Sequence, residues 1–383
     1  MKIAFVVQRY GTDINGGAEQ HCRMLAERLI AFHDVDVLTT TCDDYYTWSN
    51  VFEPGASELN GVCVRRFSTN CTRDNFDYSI FPGCPSATYG YADDFNWIMQ
   101  QGPVSLDLIN YINYHRHDYD IFVFFTYLYF TTVAGISMVP EKSILIPTAH
   151  DEEAIYRPVF RSVFHLPRAI FYNTQEEMDF VHSLFDNEYI HHCVGGIGFE
   201  VNEDIRASDF TQKYGIDDRF VLYAGRITER KGCDELFDFF LKSDTDFKLV
   251  LIGKEDISVP VSDRIISLGF VSDEDKEAAL EACSGLIISS RFESFSMVLA
   301  EAMLRKKPVI ANGFCDVLKG HCRRSCGGIY YTCFDEFQAC LSYISDCDNN
   351  RVLGENGYRY ISDNYSWDII IRKFDELIKI VKG

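Results

Sequence analysis

Two glutamates, Glu293 and Glu301, stand in the stretch of sequence whose residue types point most directly to chemistry. The strand-like run GLIISS leads into a loop, and the loop leads into a helix that we expect to begin at Met297. The free N–H groups at such a helix start favour an anion such as phosphate. Glu301 could then reach a ribose diol, and Glu293 could accept hydrogen bonds from sugar hydroxyls. The residues between them complete this candidate ligand loop: Ser294, Phe295, Ser296, Met297 and Val298.

Two cations, Arg226 and Lys231, follow the strand-like run VLYAG and precede another helical stretch. Open α/β sheets bind their ligands at the carboxyl ends of the strands, where both side chains would lie. Arginine and lysine together suit a diphosphate, by bidentate hydrogen bonds and by point charge respectively. In a chain of formal net charge -21 this placement is informative. The alternative is an ordinary solvated loop.

A glycine pair, Gly16 and Gly17, follows the first predicted strand and precedes the first helix. Glycine lets a backbone approach a ligand closely, and the helix start favours an anion. An ordinary tight turn explains the pair equally well. The segment is not GxGxxG with an acidic residue at the distance a dinucleotide site needs, which disfavours a nicotinamide dehydrogenase.

His150 ends the run ILIPTA and is followed by Asp151 and Glu152. It is a candidate catalytic residue, although a buried histidine beside a helix cap is the simpler alternative. Further along, arginines alternate with apolar residues, which suggests either a face toward an anionic lipid-linked acceptor or an ordinary half-buried helix. The residues concerned are Arg157, Arg161 and Arg168 with Phe160, Val163 and Phe164.

Strands and helices alternate around these residues, and this alternation predicts parallel sheets covered on both faces. The predicted strands are Lys2–Gln8, Val35–Thr41, Gly61–Ser68, 121–126, 143–148, 169–173, Phe220–Ala224, Phe247–Ile252, Ile265–Phe270, Leu286–Ser289, Val309–Ala311 and Gly328–Tyr331. The main predicted helices are Ala18–Phe32, Ser105–His115, 334–346, 351–363 and 366–381. Residues 70–98, rich in Tyr, Asn, Asp, Gly and Pro, predict a long functional loop.

The glycine-rich run Gly195–Phe199 predicts a domain boundary. We expect an α/β fold of two Rossmann-like domains that face each other across a cleft. Residues 1–195 would form the acceptor-side domain and residues 196–365 the domain that binds the donor. Residues 366–383 would form a helix that crosses back to the first domain.

Composition excludes several classes of protein. The chain has 383 residues, of which 47% are hydrophobic, and its 57 acids exceed its 36 lysines and arginines, so a disordered chain and a nucleic-acid binder are disfavoured. Its 14 cysteines include no CxxC, and no secretory leader precedes them, which predicts reduced thiols in a cytosolic protein. The uncharged run Ile121–Pro140 could span a bilayer, but its pattern favours a strand and a short helix. DxD-like pairs at 34/36, 244/246 and 346/348 are expected by chance, so we predict no bound metal.

Six segments together resemble glycosyltransferase family 4, whose members are retaining enzymes of GT-B fold. The segments span nearly the whole chain: NGGAE (15–19), PTAHDE (147–152), AGRITERKG (224–232), ESFSMVLAEAM (293–303), KPVIANG (307–313) and ENGYRYISDNYSW (355–367). The resemblance implies that Arg226 and Lys231 contact the donor diphosphate, that Glu301 binds the ribose and that Glu293 binds the donor sugar. It also implies a catalytic-site role for His150 and a glycine loop near the diphosphate at Gly16 and Gly17.

One position departs from the family pattern. Many members have glycine where this chain has Ser296, and a side chain makes a positive φ less favourable there. The resemblance otherwise implies metal-independent transfer of a hexose, with retained configuration, from a nucleotide diphosphate sugar to a glycan or lipid-linked acceptor, without a further cofactor. The expected setting is cytoplasmic assembly of bacterial surface polysaccharide or glycolipid, with peripheral contact to the inner face of the membrane. The alternatives are a nucleotide-sugar epimerase or hydrolase of the same fold, and a non-catalytic sugar-nucleotide-binding protein.

Overall fold

The computed structural model describes residues 1–14, 16–73 and 90–383, without the side chain of Tyr91. The chain divides into two compact units. Unit 1 consists of Met1–Gly196 together with Ile370–Gly383, and unit 2 consists of Ile197–Ile369. Each unit has its own sheet and its own buried core.

Unit 1 contains an eight-stranded sheet in the order β3-β4-β2-β1-β5-β6-β7-β8. All neighbours pair in parallel except β3, which runs antiparallel to β4 at the edge. The central strands are buried on both faces, which explains their unbroken apolar runs. The strands are β1 Lys2–Val6, β2 Asp34–Thr40, β3 Gly55–Leu59, β4 Val62–Phe67, β5 Ile121–Phe125, β6 Ser143–Ile146, β7 Ala169–Tyr172 and β8 His191–Val194.

The helices of unit 1 cover this sheet with their apolar faces. The carboxyl-terminal helix takes part, since Phe374 stacks on Phe5 at 6.5 Å and meets Phe171 edge-on at 5.3 Å between ring centroids. The other described α-helices of this unit are α1 Gly17–Leu29, α2 Tyr91–Gln101, α3 Leu106–Tyr114, α4 Phe130–Ile136, α5 Val159–His165 and α6 Gln175–Phe185.

Unit 2 contains a six-stranded sheet in the order β11-β10-β9-β12-β13-β14, and all its pairings are parallel. Its strands are β9 Phe220–Ala224, β10 Lys248–Ile252, β11 Ile265–Ser267, β12 Gly285–Ile288, β13 Val309–Asn312 and β14 Gly328–Tyr331. Its helices are α7 Ala207–Tyr214, α8 Cys233–Lys242, α9 Asp273–Ala282, α10 Met297–Leu304, α11 Asp316–Ser325, α12 Phe334–Ser345 and α13 Cys347–Asn364. The last helix, α14, spans Trp367–Lys382 and extends from unit 2 into unit 1.

The predicted α/β class with parallel sheets is confirmed in both units. One strand was missed: the sequence of β3, GASEL, is almost wholly exposed and therefore lacks an apolar signal. The predicted loop over 70–98 is wrong at its carboxyl end, where α2 forms; residues 74–89 lie outside the described part. The uncharged run Ile121–Pro140 forms β5 and α4. Among the described helices, none has both the length and the apolar character needed to cross a membrane.

Candidate functional site

The loop between β12 and α10 ends in a left-handed residue. Ser296 has φ 73° and ψ 86°, and α10 begins at the next residue, Met297, as predicted. The side chain of Ser296 makes no capping hydrogen bond. A left-handed serine costs about 1–2 kcal/mol relative to an extended one. Serine therefore occupies a backbone conformation that glycine would adopt without this cost.

Phe295 fixes this loop to the core of unit 2. Its side chain is buried and stacks with Phe199 at 5.7 Å, while His321 and Tyr365 meet it edge-on at 5.0 and 5.1 Å. His321 Nδ1 in turn lies 3.0 Å from the Tyr360 hydroxyl. An aromatic cluster under the loop thus compensates for the backbone strain at Ser296.

The backbone N–H and the backbone carbonyl of Lys231 each form a hydrogen bond with a side chain. Its N–H donates to Thr228 Oγ1 at 3.1 Å, and its carbonyl accepts from Ser289 Oγ at 2.7 Å. The next residue, Gly232, has φ 70°, and a Cβ there would lie 2.5 Å from the carbonyl oxygen of Ser289. This close approach, which requires glycine, brings the loop after β9 against the end of β12.

Lys231 and Glu293 contact each other directly. Lys231 Nζ donates to Glu293 Oε1 at 2.7 Å, and the side chains are 38% and 18% exposed. The structure therefore brings together two residues that the sequence nominated separately. An ammonium group has three donors, so Lys231 can bind Glu293 and still donate to a phosphate oxygen.

Arg226 lies on the loop after β9, on the same side of the sheet as Lys231. Its Nε is 3.8 Å from Asp256 Oδ2, a distance too long for a hydrogen bond, and its side chain is one-third exposed. Tyr223 donates a hydrogen bond from its hydroxyl to the Arg226 carbonyl at 2.8 Å, which fixes the backbone. The guanidinium thus sits on an anchored backbone at a strand end, as the diphosphate prediction requires.

Glu301 pairs with a lysine that sequence reasoning missed. Lys276 Nζ, on α9, donates to Glu301 Oε1 at 3.0 Å. Burial lowers the pKa of Lys276, but the charge of Glu301 and its hydrogen bond outweigh this effect, and the net shift is upward. The other oxygen, Glu301 Oε2, is buried and has no hydrogen-bond partner among the described atoms. The Glu301 side chain as a whole is 20% exposed, so a ligand can reach part of it.

Gly16 and Gly17 lie at the start of α1 in unit 1. Arg9 Nε binds Glu19 Oε1 at 2.9 Å, and both side chains are buried. A Cβ on Gly16 would lie 2.2 Å from Glu19 Oε2, so this ion pair requires glycine at position 16. No described atom lies within 4 Å of a Cβ placed on Gly17. Packing therefore explains Gly16, whereas nothing in the described packing requires Gly17.

His150 lies in the loop after β6, also in unit 1. Its Nε2 is 3.6 Å from Glu152 Oε2, and the Tyr127 hydroxyl donates to Glu152 Oε1 at 2.7 Å. The imidazole is partly exposed, with 24% of its side chain accessible. The alternative of a buried histidine is therefore wrong, and Asp151 does not cap the following short helix, whose N-cap is Glu152 without a capping side-chain hydrogen bond.

Packing explains only part of the alternating pattern over 157–168. Arg157 is buried against Asp94, with Nη1 and Oδ1 3.2 Å apart, and lies over the ring of Trp97. The apolar residues Phe160, Val163 and Phe164 belong to the core of unit 1. Arg161 and Arg168 are exposed, as a half-buried helix with solvated arginines requires, but Arg157 is not. Whether the two exposed arginines face an anionic acceptor stays a prediction.

Metal-ligand residues do not cluster in the described ranges, which contain no group of three or more His, Cys, Asp or Glu side chains suited to a metal ion. Of the DxD-like pairs, Asp36 instead binds Tyr119 and Arg65, and Asp346 caps α13. The thirteen cysteines in the described part of the chain are all free thiols.

Comparison with known proteins gives this geometry a context. Residues 206–320 match the family model described as glycosyl transferases group 1. An uncharacterized glycosyltransferase of Methanocaldococcus jannaschii is 24% identical over 99% of this chain and 98% of its own length. The mannosylfructose-phosphate synthase of Agrobacterium fabrum is 28% identical over 30% of each chain. The chain is thus similar to glycosyltransferases over almost its whole length, and residues 206–320 match their family model.

Solved structures share the fold of this chain over nearly its full length. An Anabaena protein, HepE, solved with UDP and glucose, has a TM-score of 0.73 at 16% identity and covers 99% of both chains. The sucrose-phosphate synthase of Thermosynechococcus elongatus has a TM-score of 0.72 at 16% identity, over 99% of this chain and 98% of its own. These neighbours confirm the predicted GT-B fold class. The assignment to family 4 in particular stays a prediction.

Proposed function

We propose that this chain is a glycosyltransferase that moves a hexose from a nucleotide diphosphate sugar to a hydroxyl acceptor, with retained configuration and without a metal ion. The observation that carries the proposal is the contact of Lys231 Nζ with Glu293 Oε1 at 2.7 Å. Lys231 is the proposed phosphate-binding cation, and Glu293 is the proposed acceptor of hydrogen bonds from the sugar hydroxyls. Glu293 lies three residues before the left-handed Ser296, which precedes α10.

The donor is held by unit 2 in this proposal. Arg226 and Lys231 bind the diphosphate, and the first N–H groups of α10 contribute the positive end of the helix dipole. Glu301, whose side chain is 20% exposed, accepts a hydrogen bond from the ribose through its carboxylate. Gly16 and Gly17, at the start of α1, stay the proposed glycine loop of the donor site.

Bond cleavage leaves negative charge on the departing diphosphate, and preorganised cations stabilise that charge. Arg226 and Lys231 therefore supply what Mg²⁺ supplies in metal-dependent transfer. We propose front-face attack, in which the acceptor hydroxyl attacks the anomeric carbon, the bond to the diphosphate breaks, and the diphosphate takes the acceptor proton. His150 is the proposed catalytic residue of unit 1, its imidazole acting on the donor sugar.

The relatives support a nucleotide sugar as donor. The Anabaena neighbour was solved with UDP-glucose as well as with UDP and glucose, and another relative is an α-D-kanosaminyltransferase of Streptomyces kanamyceticus. We propose a glycan or lipid-linked acceptor, in the cytoplasmic assembly of bacterial surface polysaccharide or glycolipid. Peripheral membrane contact stays part of this proposal.

The test is a thermal-shift screen of nucleotide sugars followed by product analysis. A ligand that binds the folded protein raises its melting temperature. The donor found should then give a glycoside whose anomeric configuration, read by NMR coupling constants, matches the donor. Lys242→Ala, on an exposed pair with Asp238, serves as the control variant. An inverted product contradicts retention, and free sugar or an epimer without acceptor favours the hydrolase or epimerase alternative.

A further inference from the structure

One buried side chain, Glu177 on α6, joins the carboxyl ends of two neighbouring strands of unit 1. Its Oε1 accepts the N–H of Ala149, which follows β6, at 2.5 Å. Its Oε2 accepts the N–H of Asn173, which follows β7, at 2.6 Å. Glu177 is 2% exposed. Burial raises the pKa of this carboxyl to about 8, although hydrogen bonds from Asn173 and Ala149 act in the opposite direction.

The segment that Glu177 holds is strained. Thr148, the residue before Ala149, has φ 51°, which is a rare conformation for a β-branched side chain. The preceding carbonyl, of Pro147, accepts the Tyr127 N–H at 3.1 Å, which fixes the start of the turn. Such strain persists only where surrounding contacts over-determine the backbone. Glu177 supplies the contact on the far side of Thr148.

His150 is the residue after Ala149. Because Ala149 is its neighbour, the hydrogen bond to Glu177 fixes the peptide unit immediately before the one that carries the imidazole. Loss of that bond would leave a buried N–H unpaired and would let Thr148 relax to an extended conformation. Either change moves the His150 backbone, and misplacement of a catalytic group by about 1 Å costs roughly a hundredfold in rate.

We propose that Glu177 is a positioning residue for His150, acting through the Ala149 amide. The proposal rests on the proposed function, in which His150 is catalytic. Glu177 touches no reacting atom in this account. Its two oxygens must both accept, so glutamine, whose amide nitrogen has no free lone pair, leaves one of the two N–H groups facing another donor.

The experiment compares Glu177→Gln with Asp179→Asn. Asp179 lies on the same helix, is exposed and binds Gln175, so its variant removes a carboxylate without touching β6 or β7. We expect Glu177→Gln to lower kcat about tenfold to a hundredfold, with the donor KM changed less than twofold. Hydrogen exchange at residues 147–152 should accelerate. Asp179→Asn should match wild type in all three readouts.

A double variant separates positioning from general destabilisation. If Glu177 acts through His150, Glu177→Gln should not slow His150→Ala any further. The proposal is overturned if Glu177→Gln keeps kcat within threefold, if exchange at 147–152 is unchanged, or if it slows His150→Ala by its full factor. Should Glu177→Gln fail to fold, Glu177→Asp, which keeps the carboxyl group but is one methylene shorter, replaces it in the same measurements.

His150→Ala alone distinguishes the catalytic role of His150 from the positioning role of Glu177. If it retains wild-type kcat, the role of His150 in the proposed function fails and the positioning role fails with it. If it is inactive while Glu177→Gln is fully active, only the positioning role is wrong.

Discussion

Lys231 and Glu293, 62 residues apart in the sequence, form an ion pair with a distance of 2.7 Å between Nζ and Oε1. The pair joins the loop after β9 to the loop before α10, next to the point where Gly232 touches the Ser289 carbonyl. An exposed pair of this kind contributes little to stability. Its position at two strand ends of a parallel sheet makes a ligand-binding role the better explanation.

Lys231→Ala should remove most transfer and leave folding intact. The lost charge-assisted contact to the leaving diphosphate should cost roughly 2–4 kcal/mol at the transition state, or about thirty- to a thousandfold in rate. Initial rates with saturating donor, together with melting temperatures, measure both effects. Lys242→Ala is the control. A rate within threefold of wild type would remove Lys231 from the donor site.

Ser296 should respond to substitution according to backbone conformation. At φ 73° a β-branched residue is more strained than serine, so Ser296→Val should lower stability by about 1–2 kcal/mol. Ser296→Gly removes the strain but increases the entropy of the unfolded chain, and these effects nearly cancel. Urea unfolding of both variants tests this, and equal stability of Val and Gly variants would contradict the strain argument.

His321 should make unit 2 sensitive to acid. Burial and, to a lesser extent, the charge of Arg324 together lower its pKa to about 3, although a hydrogen bond with the Phe295 backbone acts in the opposite direction. Below about pH 6.5 His321 binds a proton in the unfolded chain but stays neutral in the folded protein. The free energy of unfolding therefore falls as the pH falls from 6.5 toward 3. The slope is about 1.4 kcal/mol per pH unit.

His321→Gln removes this titration. Between pH 6.5 and pH 5 the wild type should lose about 2 kcal/mol more than the variant in free energy of unfolding. Hydrogen exchange of β12 and β13 amides in the two proteins reads this difference within unit 2. Parallel pH profiles would show that His321 is protonated in the folded protein.

Transfer should persist when divalent metals are removed, since Arg226, Lys231 and the start of α10 supply the positive charge. Initial rates after dialysis against excess EDTA, with and without added Mg²⁺ or Mn²⁺, measure this directly. Rates should agree within about twofold. An absolute requirement for either ion would show that a metal-binding site takes part in transfer.

The sequence predicted most of both sheets because their strands are buried on two faces and read as unbroken apolar runs. It missed β3, whose residues are exposed and carry no apolar alternation. It nominated Lys231, Glu293 and Glu301 from their loops and helix start. It could not pair Lys231 with Glu293, find Lys276 opposite Glu301, or find Glu177 beneath His150. Those contacts join segments that are far apart in the sequence. Residue types and spacing in a single sequence do not show which distant segments lie close together in space.

Titration calorimetry on two glutamate variants tests whether Glu301 binds the ribose and Glu293 binds the donor sugar. UDP and UDP-glucose are the first nucleotide and donor to use, because the Anabaena neighbour was solved with them. Glu301→Gln should weaken both by about ten- to a hundredfold, since the ribose is common to them. Glu293→Gln should leave UDP affinity unchanged and weaken only the donor. If Glu293→Gln weakens UDP as much as Glu301→Gln does, the division between sugar and ribose is wrong, and if neither variant changes binding or turnover, the donor site lies elsewhere.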